Sequence, residues 1–234
     1  MLDPKRLLDD LLGSRTQGKG GAGNDALGKV GDFARQNPIA TGALAAILLG
    51  TGAGRSLGTS ALKMGGMAAI AGLAYKAYQD YQKGQQPGSQ KTAGREPELI
   101  EPPRDTGFHP ADAPQGEDSF ALAVVRAMVA AARADGHIDE EERKRITDRL
   151  KMAGLGEDAE RFLVEELSRP VDLDSMVSAA QTEAQRVELY TASRIAIEPR
   201  TRAERGYLDM LAGRLRLPDA LVDHVEATVS EAKA

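Results

Sequence analysis

The chain has 234 residues, a net charge of −5, no Cys and no Trp; it is 41% hydrophobic but only 4% aromatic. The lack of Cys excludes disulfide frameworks, thiolate zinc sites, iron–sulfur clusters and Cys nucleophiles. The charge is split: residues 1–95 hold 12 Lys+Arg, 6 Asp and no Glu, giving +6, whereas residues 96–234 hold 18 Lys+Arg against 29 Asp+Glu, giving −11. The first part also holds 18 of the 25 glycines, so the chain reads as two regions in different surroundings.

Residues 1–35 read as a short amphipathic helix followed by a flexible Gly-rich segment. Asp3 caps the helix, Pro4 sits in its first turn, and Leu7, Leu8, Leu11 and Leu12 form one apolar stripe before Gly13. Such a helix suits a membrane surface or a partner, and the acids Asp3, Asp9 and Asp10 exclude a secretory leader.

Residues 36–83 form a hydrophobic Gly/Ala-rich region with membrane character. Gln36–Gly54 is uncharged, and Ser56–Tyr75 is broken only by Lys63, so each meets the roughly 20-residue length of a span. Gly50, Gly54 and Gly58 stand four apart, as on a self-associating membrane helix, or else hold the turn of a helical hairpin. Tyr75, Tyr78 and Tyr81 resemble an interfacial belt. A hairpin leaves both termini in the cytoplasm, and a single span separates them. The competing reading is that these Ala/Gly-rich helices pack on each other in water.

Residues 84–118 hold six of the eleven prolines and little apolar periodicity, which predicts an extended, disordered linker and a domain boundary. Residues 119–234 read as an all-α bundle of about seven helices. The run Phe120–Ala134 is apolar over much of its circumference and predicts a central helix, stopped by Gly136. Asp139-x-x-Glu142 has capping-box spacing and opens a helix to about Ala153. Helices follow at Glu157–Ser168, near Asp174–Ala180 and at Thr182–Ile197. Thr201-x-x-Glu204 repeats the capping-box spacing, and Pro218 or Asp219 opens the last helix.

Several catalytic patterns match in letters only. Gly54-Arg-Ser56-Leu-Gly58 imitates a nucleophile elbow, but no strand precedes it, which leaves a Ser56 hydrolase a remote alternative. Gly23–Lys29 imitates a P-loop with Val30 where a hydroxyl is required, and Gly18–Gly23 imitates a dinucleotide fingerprint inside a low-complexity run. Ser60-x-x-Lys63 has no companion motif. No catalytic and no cofactor-binding residue is assigned. The arginines of the acidic half alternate with Glu at helical spacing, so nucleic-acid binding is not expected.

One acidic run stands out, Ala134-Asp-Gly-His-Ile-Asp-Glu-Glu-Glu-Arg143. Asp135, Asp139 and Glu142 between two helices suit a hard cation, although the spacing is not that of an EF-hand. Helix punctuation explains Gly136, Asp139 and Glu142 equally well. His109 and His224 show no partner in the sequence.

The run 132–143, together with Thr201-Arg-Ala-Glu-Arg-Gly-Tyr-Leu-Asp-Met-Leu-Ala-Gly-Arg-Leu-Arg-Leu-Pro218, resembles the signature of TerB-like tellurite-resistance proteins. With its Gly/Ala-rich front and Pro-rich linker, the architecture is similar to that of the YebE-type inner-membrane proteins, a family of unknown function. The resemblance implies a duplicated all-helical fold whose acidic residues hold a divalent cation (Ca, Mg or Zn). It carries that role to Asp135, Asp139, Glu142 and, in the second half, Glu204. Ile197 stands where Asp135 would align, unless Glu198 substitutes. The expectation is a non-enzymatic protein of the bacterial inner membrane. Its cytoplasmic acidic domain binds divalent metal or a protein partner, in envelope or metal stress. The alternative is an oligomerising structural protein that self-associates through Gly50, Gly54 and Gly58.

Overall fold

The computed structural model describes residues 3–11, 66–89, 102–134 and 157–233, and among these the chain is entirely helical, with no strand. The α-helices are α1 (Pro4–Leu11), α2 (Gly66–Gln82), α3 (Glu117–Ala132), α4 (Glu157–Ser168), α5 (Leu173–Ala179), α6 (Glu183–Ala196), α7 (Arg202–Leu215) and α8 (Asp219–Ala232). Short 3-10 turns lie at Arg104–Thr106 and Pro110–Asp112. The expected helix from Asp139 to about Ala153, the uncharged stretch 36–54 and the glycines Gly50, Gly54 and Gly58 lie outside the described residues.

The helix boundaries follow local chemistry. Thr182 caps α6 by accepting from Gln185 N at 3.1 Å, and Asp172 caps α5 by accepting from Ser175 N at 3.0 Å. At α7 the full capping box forms between Thr201 and Glu204. This helix ends with Arg216 in the left-handed region (φ 55°), where Leu217 N reaches back to Ala212 O at 3.1 Å.

The centre of the bundle is α6, which packs on α3, α2, α7 and α8. Every residue from Ala184 to Ala196 except Arg186 is buried. Its closest companion is α3, buried along Phe120, Ala121, Val124, Val125, Ala127, Met128 and Ala131. Around this pair, α1 lies on α3 and α2, α5 touches α3 and α7, and α4 rests on α3. Arg126 and Arg133 fasten α4: Arg126 Nε bonds Glu166 Oε1 at 3.1 Å, and Arg133 donates to the Arg169 carbonyl at 2.5 Å.

Helix α2 departs from the sequence expectation. Residues 66–75, read above as the end of a second span, form its first part. Met67, Ala69, Ile70, Leu73, Ala74 and Ala77 are buried against α8 and α6. The physical reason lies in the run Met64–Tyr75: an apolar stretch of that length fits a core helix better than a crossing, and its alanines permit close approach. Among the described residues no helix is long and apolar enough to cross a membrane.

The tyrosines assigned to an interfacial belt lie half-buried against the bundle core. Tyr75 and Tyr78 meet the Phe108 ring at 5.6 and 5.3 Å, and Tyr81 meets His224 edge-on at 5.9 Å. Phe108 comes from the segment expected to be an extended linker, of which residues 102–116 are shaped by the two 3-10 turns. Gly107 (φ 74°) reverses the chain there and delivers Phe108 into the core. The single ring of Phe108, paired with two tyrosines, converts part of that linker into a clasp on α2. The boundary expected over 84–118 therefore does not part α2 from the bundle.

Candidate functional site

Of the four residues assigned to a cation site, Asp135, Asp139 and Glu142 lie outside the described residues. Glu204 is described, and one oxygen of its carboxylate is engaged in local hydrogen bonds. Oε2 accepts from Thr201 N at 2.8 Å, Arg200 N at 2.9 Å and Thr201 Oγ1 at 3.0 Å, while Thr201 Oγ1 accepts from Glu204 N at 3.1 Å. The structure thus gives Glu204 a helix-starting task. Ile197, which aligns with Asp135, is buried and lends its carbonyl to Arg194 and Lys233. Glu198, the alternative acid, is exposed and bonds Arg200 at 2.5 Å, which holds its carboxyl below the usual range. Among the described residues no three His, Asp or Glu side chains are grouped to hold a metal ion.

A polar constellation unassigned from the sequence joins α6 to α8. Arg194, almost fully buried, donates from Nε to Glu226 Oε2 at 2.5 Å, from one terminal nitrogen to Ile197 O at 2.9 Å and from the other to Ser230 Oγ at 3.2 Å. Tyr190 donates to Glu226 Oε1 at 3.0 Å. Burial first, and then the Glu226 charge, push the Tyr190 hydroxyl upward, so it stays a donor. Lys233 Nζ lies 3.3 Å from Ile197 O and 3.4 Å from Arg194 O, and burial, with the Arg194 charge, pulls its ammonium down to about 8. The guanidinium, carboxylate and phenol complete one another's hydrogen bonds, which is what a buried polar network requires to be stable.

A second polar cluster lines a narrow cleft between α2, the turn at 83–89 and α8, formed by Lys76, Asp80, Gln86, His224 and Glu231 among others. Lys76 Nζ bonds Asp80 Oδ2 at 2.7 Å. His224 Nδ1 lies 2.7 Å from Ala220 O and Nε2 lies 3.0 Å from Gln85 O. A neutral ring donates to one of these carbonyls and an imidazolium to both. The cleft encloses about 230 Å³ including open solvent, below the roughly 300–1,000 Å³ of ordinary small-molecule sites. It is a clamp on the 83–89 turn rather than a substrate chamber.

Sequence reasoning missed both clusters. The contact from His224 to its own i−4 carbonyl is a local helical one and was open to it. Those with Gln85 and with Tyr81 depend on α2 lying beside α8, which no local signal reports.

The described part of the chain is thus an all-helical bundle organised on one buried polar helix, with its charged clusters spent on joining helices. The chain belongs to the family described as "Protein of unknown function (DUF533)", whose model matches residues 34–229. It is also 33% identical over 110 residues to an "Uncharacterized protein in ampR 5'region" of Yersinia enterocolitica, covering 47% of this chain and 79% of that one. No solved structure matches.

Proposed function

We propose that the protein is a non-enzymatic, membrane-associated binding module of the bacterial inner membrane, with its acidic bundle on the cytoplasmic side. The observation that supports this best is the placement of α2. The Gly/Ala-rich stretch that begins at residue 36, interrupted by Arg55 and Lys63, is followed in sequence by α2, whose residues are part of the bundle core, so the chain links a stretch of membrane character to an acidic helical module. Lys/Arg residues on both sides of the uncharged region favour the cytoplasmic face.

The likeness of residues 132–143 and 201–218 to TerB-like tellurite-resistance proteins, and of the architecture to YebE-type proteins, supports a divalent cation as the ligand. Asp135, Asp139 and Glu142 would supply hard oxygen ligands. Glu204 is the fourth candidate, with its Oε2 engaged in the cap of α7.

Fractionation of cells producing the full-length chain tests the association: recovery in the carbonate-washed membrane fraction is expected, and release into the supernatant overturns it. Calorimetric titration of the full chain with Ca²⁺, Mg²⁺ and Zn²⁺ tests the cation. Heat with one of them, lost in Asp135→Asn, is expected. An absence of heat with all three redirects the acidic surface to a protein partner.

A further inference from the structure

Two acceptors face the two nitrogens of one ring. His224, buried on α8, has Nδ1 2.7 Å from the Ala220 carbonyl on its own helix and Nε2 3.0 Å from the Gln85 carbonyl on the turn at 83–89. A neutral imidazole carries one N–H, so it satisfies one of these oxygens and turns a lone pair on the other; an imidazolium donates to both. The turn itself stands largely in solvent: Lys83, Gly84, Gln86, Pro87 and Ser89 are exposed, and Gln85 and Gly88 are half-buried.

The charges around the ring ask for the same proton. From α2 come Lys76 and Asp80, which pair at 2.7 Å and cancel, and Tyr81, which meets the ring edge-on at 5.9 Å. On the turn, exposed Lys83 bonds Gln79 Oε1 at 3.1 Å. On α8, Asp223 is exposed, and Glu226 takes up Arg194 and Tyr190 from α6. That leaves Glu231, which lines the same cleft as His224. Its Oε1 is enclosed without a hydrogen-bond partner, and Gly88 passes so near that a Cβ there would stand 3.6 Å from it. An enclosed carboxylate oxygen without a donor is costly, and a positive ring in the same cleft offsets its charge.

We infer that His224 is a proton-operated latch. Its imidazolium fastens the turn at 83–89, and with it the end of α2, onto α8; loss of the proton releases the turn and opens the cleft lined by Lys76, Asp80 and Glu231. The bond to Gln85 is the one that gives way, because the contact with Ala220 lies within a single helix and is kept by proximity. Both bonds exist only with the proton in place. The latch is therefore complete on the acid side and is lost as pH rises through the range, about pH 5–8, in which histidine changes charge. The device needs neither the bilayer nor the cation proposed above.

Amide hydrogen exchange of the full chain, expressed as protection so that intrinsic rates drop out, tests the latch at about pH 5 and about pH 8. The reporter is Gln85 N, which donates to Asp80 O at 3.1 Å where α2 runs into the turn. Its protection is expected to fall about tenfold or more on the basic side, the worth of one bond from a charged donor. His224→Gln is expected to show the low protection at both values. Protection that does not change with pH in the native chain, or that changes as much in His224→Gln, overturns the inference. Glu231→Gln gives a reading independent of how that variant folds. Release is expected at a lower pH than in the native chain, because the charge that favours the imidazolium is gone. An unchanged or higher pH of release overturns the inference as well.

Discussion

Helices α3 and α6 lie side by side and are buried to a similar extent, yet they are built from opposite materials. Helix α3 is Ala, Val, Met and Phe over most of its length, so its burial follows from composition. Helix α6 carries Gln185, Glu188, Thr191, Ser193 and Arg194 into the interior, all at or below 7% exposure. What makes this tolerable is local and tertiary satisfaction. Thr191 Oγ1 donates to Val187 O at 2.8 Å, Ser193 Oγ to Leu189 O at 3.0 Å, Gln185 exchanges hydrogen bonds with Gln115, and Arg194 reaches Glu226 and Ser230. Glu188 is the exception, with Oε1 buried and without a hydrogen-bond partner. One helix is held by area and the other by partners, and they should respond differently to mutation and to pH.

The largest effect belongs to the apolar member. Phe120→Ala should lower unfolding free energy by about 3–5 kcal/mol, the usual range for emptying a filled aromatic site, read from the urea midpoint at unchanged slope. Arg194→Met should cost about 2–4 kcal/mol, somewhat less than a fully buried pair because Glu226 is 32% exposed and recovers water. A loss below that of an ordinary surface change would show that area alone holds α6.

Glu188→Leu should have the opposite sign, stabilising by about 1–3 kcal/mol at neutral pH by removing a carboxyl that burial penalises. Burial raises the folded-state pKa of Glu188 well above 4.5, so the native state holds its proton longer than the unfolded chain. The stability this group contributes is complete below 4.5 and is lost as pH rises through the folded value. The gain from Glu188→Leu should therefore grow with pH across that window, and a constant gain would mean that the carboxyl is satisfied. The smallest effect is that of Lys233. Its folded pKa of about 8 lies below the ordinary 10.5, so the unfolded chain binds more protons between these values and stability should rise there with pH. Lys233→Met should flatten that rise, by about 1 kcal/mol after solvent screening.

Much of the helical punctuation was legible from the residues themselves. The span Glu157–Ser168, the start of a helix at Thr182, the capping box of Thr201 and Glu204 and the opening of α8 at Pro218 or Asp219 all rest on contacts within a few residues. The candidate cation set was legible only as a list of acids. Glu204 shows why: capping and ligation use the same carboxylate at the same spacing, and only coordinates tell which partner it has. Residues 66–75 failed for a related reason, since lipid and a protein core select the same apolar run.

The sequence by itself determined that this protein is all-α, where most of its helices start and stop, and that its two halves differ in charge. These properties are written in hydrogen bonds and side-chain periods of short range. The tertiary structure decided that Gly66–Gln82 belongs to the bundle, that Phe108 clasps it, that Arg194 finds Glu226, and that α1 returns to the face of α3. Each of these brings together residues at least 30 positions apart, and solvent exclusion in a core rewards any apolar surface that fits, whatever its place in the chain.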